Sequence, residues 1–449
     1  MDTPIVDFVR RYAEQKLIRA HMPGHKGVSL IGPELYDITE VDGADSLYEA
    51  NGIIKRSEEN AGSIFGCNTF YSVEGSSLCI RAMMYLISSY AHSLNKKMKV
   101  YAARNSHKSF LSACALLDID VEWLYSKKDN SYLSFLIVPE ELDKQLSEAD
   151  EKPLAVYVTS PDYLGGVADV SGLASVCHKH GVLLVVDNAH GAYLKFLPSS
   201  MHPIDLGADM CCDSAHKTLP ALTGGAYLHI SNNAPAVFAE QAKGALAMFG
   251  STSPSYLILQ SLDAVNNYIC NGYKAKLSHF IMKVDSCKKR LILHGYELFG
   301  DEPLKITIKS KPYGYDGREF SKLLGEKAVS VEFSDPDFVV LMLTPETDDS
   351  GLEKITEVLM SVPRGEAVEA DTVTSFFRPE KVMSVREASM CSYEDVCIEN
   401  SVGRILARAE VSCPPAVPIV VCGERIDNRA IEMFKYYGIE KCSVIKEIE

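Results

Sequence analysis

At 449 residues, with 47% hydrophobic and 23% charged side chains, the chain has the composition of an ordinary soluble globular protein and is neither disordered nor fibrous. Its net charge of −15, from 60 acidic against 45 basic residues, excludes a broad nucleic-acid-binding face, which needs a basic surface. Charges interrupt the N-terminus, no stretch offers the roughly 18 consecutive apolar residues of a membrane span, and the cysteines are scattered without a CxxC pair. A cytoplasmic protein with buried thiols is expected, with no metal centre and no membrane or nucleic-acid partner.

In chain order, Ile5, Phe8, Val9, Tyr12 and Leu17 recur at helical spacing, and the turn-rich "HMPGHKG" ends that helix. From about Asn60 to Pro235, short apolar runs alternate with helix-compatible segments. The runs are "KVYAAR" (99–104), "VEWLYS" (121–126), "LAVYVTS" (154–160), "VLLVVDNA" (182–189) and "ADMCCDSA" (208–215), and "AYLHI" follows as a further strand. Ser76 to Ser93, Lys108 to Leu117 and Leu173 to His180 lie between them with helical periodicity. Buried strands alternating with helices predict an α/β fold with a mostly parallel sheet covered on both faces. Residues 236–295 read as mainly helical. Beyond Gly300 the texture becomes that of a smaller α+β domain, with "PLKITIKS", "FVVLMLTPETDDSGLEKITEVLMSV", a short strand in "SCPPAVPIVVCGERID" and a final helix over Arg429 to Tyr437. The expected organisation is an N-terminal arm and helix (1–60), a large domain (61–295) and a C-terminal small domain (296–449).

Ligands of parallel sheets bind outside the carboxyl ends of the strands, and three polar clusters fall there. Gly75, Ser76 and Ser77 open a helix, where free backbone N–H groups suit a phosphate, although a serine there can equally be a plain cap. Asp187 ends a run of apolar residues, so its carboxylate must be paired or used. Ser214, His216 and Lys217 end the next strand, and Lys217 lies among small or apolar neighbours with no charge close downstream. A lysine nucleophile, an aspartate for a protonated ring nitrogen and a phosphate cradle are all met by one ligand, pyridoxal 5'-phosphate.

The ordered set "HMPGHKG", "RNSHKS", "DNAHGAYLKF", "GADMCCDSAHKTLPALTGGAYLH", "STSPSYLILQSLDA", "GRILARAEVSCPPAVP" and "GERI" resembles the ornithine/lysine/arginine decarboxylase family and spans nearly the whole chain. The length resembles the short form without an N-terminal wing domain. The resemblance implies a fold type I (aspartate aminotransferase-like) large domain and a smaller α+β C-terminal domain, with active sites at a homodimer interface or within a higher homo-oligomer. It implies Lys217 as the Schiff-base lysine, Asp187 as the pyridinium partner, His107 stacked on the cofactor ring and His190 beside it. Gly75, Ser76, Ser77, Ser214 and His216 would hold the phosphate, and Ser251 and Thr252 would add a ligand from the partner subunit. His25 and Lys26 would lie near the site mouth.

The implied activity is decarboxylation of a small basic amino acid, arginine before lysine and lysine before ornithine, to carbon dioxide and the corresponding amine of polyamine biosynthesis, with a proton from His216, Lys217 or a nearby acid. Transamination, aldol cleavage, oxidative chemistry or a non-catalytic binding role are the alternatives. Carboxylates for the distal substrate charge are sought among Asp42, Asp45, Glu49 and Glu399. The chain departs from the family pattern at Glu74 in the phosphate loop, at Asn188 in place of glutamate, and at Cys413 and Ala416 near the end.

Overall fold

A computed structural model describes residues 1–125, 133–369, 377–409 and 417–446; Cys413 and Ala416 lie outside them. The chain divides into two compact units, Met1–Lys97 with Val170–Lys276 and Met98–Asp169 with Leu277–Glu449. The main sheet has seven strands: β1 (Asn68–Ser72), β2 (Lys99–Ala103), β3 (Asp120–Leu124), β4 (Ala155–Thr159), β5 (Leu183–Asp187), β6 (Met210–Asp213) and β7 (Ala226–Ile230). It is the mostly parallel sheet expected of this α/β class.

In the first unit, β5 and β6 pair in parallel, while β7 runs antiparallel to both β6 and β1. Every residue of β6 and β7 is buried, which is why these strands read as continuous apolar runs and not as an alternation. Leu184, Val185 and Val186 are fully buried in β5, each contributing about 1.5–3 kcal/mol of burial free energy. The 19-residue helix Gly75–Ser93 buries apolar side chains around much of its circumference, as a helix inside the fold does. Gly224 has a left-handed φ of +98°, and a Cβ there would lie 2.8 Å from Val73 O. The glycine therefore turns the chain into β7 while Gly75 N donates to Gly224 O at 2.8 Å.

The second unit holds β2, β3 and β4, with β2 parallel to each of the other two. It also contains a four-stranded antiparallel sheet of β8 (Glu297–Phe299), β9 (Lys305–Lys309), β10 (Phe333–Ser334) and β11 (Phe338–Met342), in the order β10-β11-β9-β8. An antiparallel pair follows, β12 (Tyr393–Cys397) with β13 (Lys441–Ile445). The last helix is Asn428–Tyr437, capped by Asp427, whose side chain accepts from Ala430 N at 2.8 Å, and ended by left-handed Gly438.

Three local expectations are corrected. The first helix is Pro4–Glu14; Lys16 takes a left-handed φ of +52° and leaves Leu17 outside and exposed. The described part of "SCPPAVPIVVCGERID" forms isolated bridges at Glu424 and Arg425, because Gly423, at φ +89°, turns the chain against Met383 O. Cys270, Cys391 and Cys397 are exposed, while the remaining described cysteines are buried free thiols, as expected. The strands β1, β12 and β13 and the helix Pro139–Glu148 are among the elements additional to those expected.

Candidate active site

Asp187 faces Cys212 in the β5–β6 register, so the two strands deliver their following residues side by side. Asp187 is 2% exposed, and its Oδ1 accepts from Ala189 N at 3.1 Å and from Cys212 Sγ at 3.6 Å. After β5 the chain turns back, with Gly191 N donating to Asn188 O at 2.8 Å, and this turn carries buried His190. After β6, Ser214 precedes the short helix Ala215–Thr218, which carries Lys217. Lys217 Nζ lies 2.9 Å from His190 Nε2. An ammonium can only donate, so against a protonated Lys217 the imidazole accepts through Nε2 and is neutral, with its proton on Nδ1.

Ser214 Oγ donates to Ser76 Oγ at 2.9 Å, tying the Lys217 turn to the N-terminus of the helix Gly75–Ser93. Gly75 is left-handed at φ +70°, and a Cβ there would meet nothing within 4 Å, so the first turn of this helix borders open space. Ser76 and Ser77 follow it with their amides among the first of the helix. The Glu74 carboxylate is occupied elsewhere, since its Oε1 accepts from Ser251 N at 2.7 Å and ties down the loop that carries Ser251 and Thr252, both exposed.

His216 Nδ1 lies 3.0 Å from Gly225 O and must donate to it, which leaves Nε2 as the atom able to take up a proton. Burial lowers the pKa of this imidazole, against the opposing hydrogen bond to Gly225. In the second unit, His107 caps the helix Lys108–Leu117, its Nδ1 accepting from Ser109 N at 3.2 Å. His25 pairs with Asp37 at 3.1 Å, and Lys26 Nζ donates to His21 O. Of the carboxylates considered for a substrate's distal charge, Asp45 is used by the backbone: its Oδ2 accepts from Gly52 N and Ile54 N, each at 2.8 Å. Glu399 lies 3.8 Å from Lys435 on the surface, and Asp42 and Glu49 are exposed.

A cluster that the sequence reading missed lies directly behind these residues. Asp213 is fully buried; its Oδ1 accepts from Asn188 Nδ2 at 2.7 Å, and its Oδ2 accepts from His202 Nε2 at 3.1 Å and His229 Nε2 at 3.2 Å. Burial would raise this carboxyl, but the two histidines hold it well below the usual carboxylate range. Asp213 closing an apolar run was the one available signal; His202 and His229 come from separate segments.

Residues 3–299 match the Orn/Lys/Arg decarboxylase major domain, and residues 368–442 match the C-terminal domain of the same family. The chain belongs to the Orn/Lys/Arg decarboxylase family. It is accordingly an enzyme, an amino-acid decarboxylase. It is 27% identical to an arginine decarboxylase of Bacillus subtilis over 96% of this chain and 92% of that protein. Its fold resembles lysine decarboxylase A of Pseudomonas aeruginosa, with a TM-score of 0.79 at 17% identity over 99% of this chain and 80% of that one. A serine palmitoyltransferase of S. paucimobilis, solved with a bound PLP–myriocin aldimine, matches with a TM-score of 0.56 at 14% identity over 80% of this chain and 83% of that one. Among the described residues no helix is long and apolar enough to cross a membrane.

Proposed function

We propose that this decarboxylase acts on a basic L-amino acid, arginine before lysine or ornithine, with pyridoxal 5'-phosphate as cofactor. The observation that carries the reading is the meeting of Lys217 and His190 at the ends of β5 and β6, with buried Asp187 on the same turn as His190. The donor set fits the cofactor. Left-handed Gly75 leaves open space before the helix amides and the Ser76–Ser214 pair, which suits a phosphate, and Asp187 offers a buried anion for a ring nitrogen.

When bound, pyridoxal phosphate supplies an aldehyde that captures an amine and a protonated ring that accepts the electron pair of the broken carbon–carbon bond. Asp187 would keep that ring nitrogen protonated, because a buried carboxylate favours a neighbouring cation. Lys217 would hold the aldehyde until the substrate amine displaces it. Freed, its Nζ would lie beside His190 Nε2, where it could pass a proton, and a proton must replace the lost carboxylate on the α-carbon. Neutral His216 can take up and return a proton at Nε2. His107 would stack on the ring, and Ser251 and Thr252 would reach the phosphate of a partner subunit in a homodimer. A cytoplasmic location accompanies this reading.

Purified protein supplied with pyridoxal phosphate is expected to release carbon dioxide from at least one of L-arginine, L-lysine and L-ornithine. Cofactor-loaded protein that releases none from any of the three would overturn the assignment.

A further inference from the structure

Two positions at the ends of β5 and β6 are not used by the chemistry proposed above. Asn188 directly follows Asp187, and Asp213 directly precedes Ser214. Their side chains, both fully buried, meet at 2.7 Å. The orientation of the amide is dictated: a carboxylate only accepts, so Asn188 must present its nitrogen. The other Asp213 oxygen is filled by His202 and His229, and His229 Nδ1 is held in turn by Thr69 Oγ1 at 2.9 Å. The backbone is pinned at the same point, with Asn188 N donating to Cys212 O at 3.0 Å. There is no slack around the amide either, since a Cβ on Gly191 would lie 2.0 Å from Asn188 Oδ1.

We infer that Asn188 and Asp213, anchored by His202 and His229, are positioning residues that fix the ends of β5 and β6, so that Asp187 and the Ser214–Lys217 turn address one cofactor. The inference rests on the cofactor assignment above. Neither residue needs to touch the cofactor. Each is covalently next to a residue that would, and a buried hydrogen bond between them transmits any displacement of one strand end to the other. A neutral donor at 188 is required because an anion occupies 213. A carboxylate at 188 would set two buried charges against each other.

The test is a reciprocal exchange: Asn188→Asp, Asp213→Asn and the double variant. In the double variant the roles reverse, the new amide at 213 donating to the new carboxylate at 188 while its oxygen still accepts from the histidines. Cofactor dissociation constants and the pH midpoint of the bound cofactor's visible absorbance are measured for all forms. Asn188→Asp is expected to weaken cofactor binding by about tenfold or more and to move the midpoint, and the double variant to return within about threefold of wild type, the signature of coupled neighbours. Additive losses in the double variant, or an unmoved midpoint in Asn188→Asp, would overturn the inference. If Asn188→Asp does not fold, recovery of the fold in the double variant supports the pair and continued misfolding contradicts it. Wild-type protein that takes up no pyridoxal phosphate would overturn the cofactor assignment and this inference together. Wild-type uptake with equal affinity in all variants would overturn this inference alone.

Discussion

Lys217 and His190, 27 positions apart in the chain, meet at 2.9 Å because β5 and β6 are parallel neighbours whose carboxyl ends coincide. If Lys217 carries the cofactor, Lys217→Ala abolishes the visible absorbance of the loaded protein and lowers turnover by at least about a thousandfold. His190→Leu keeps the apolar volume but removes the acceptor, and turnover falls by roughly a hundredfold or more. Absorbance spectra and carbon dioxide release check both.

The Asp213 cluster makes stability depend on pH at two ends. The Asp213 carboxyl is depressed in the folded state, so its contribution is full above the ordinary carboxylate value of about 3.9 and is lost as pH falls through the folded value. Burial lowers the His229 imidazole, but Asp213 more than offsets this and the net shift is upward. Its contribution is full below about 6.5, the unperturbed histidine value, and is lost as pH rises through the folded value. Thermal unfolding of wild type and His229→Gln is expected to show a gap that is widest on the acid side of that value and shrinks above it. A gap that widens with rising pH would contradict the assignment.

Within the second unit, Arg104 and Glu424 form a buried pair at 3.0 Å, and the guanidinium also donates to Pro418 O at 3.2 Å and Ile419 O at 3.0 Å. Arg104→Met leaves Glu424 buried without its counter-charge and is expected to cost about 3–5 kcal/mol in denaturant unfolding. Arg104→Lys keeps the charge but not the fork that serves several acceptors, and its stability falls between those of wild type and Arg104→Met.

Gly191 has no room for a methyl group, since its Cβ would also lie 2.8 Å from Leu194 Cδ1. Gly191→Ala is expected to destabilise the protein by about 1–3 kcal/mol, as overpacking does, and to weaken cofactor binding by displacing Asn188 and His190. Calorimetry and cofactor titration separate the two effects.

Much of this was legible in the sequence because strand ends in an α/β fold concentrate function in short segments. Asp187 stands out as a polar residue closing an apolar run, Lys217 as a lysine among small neighbours just past the next strand, and Gly75 with its serines as the opening of a long helix. What was not legible depends on side chains meeting across the fold. Glu74 departs from the family pattern in the phosphate loop, and its bond to Ser251 N, 177 positions away, is a contact that no local pattern reports. Asp45, a candidate for reading substrate charge, caps the backbone at residues 52 and 54 instead. His202 and His229 converge on Asp213 from a loop and from β7, and no local pattern links three such segments. Leu17 kept helical spacing but fell beyond a left-handed lysine, a break that apolar periodicity does not report.

The central claim is that Lys217 is the lysine that carries pyridoxal phosphate, and chemical trapping tests it most directly. The cofactor-loaded protein is reduced with borohydride, digested, and its peptides weighed and sequenced by mass spectrometry. The pyridoxyl group is expected on Lys217. A reduced protein bearing the label on another lysine, or bearing none, would contradict the account.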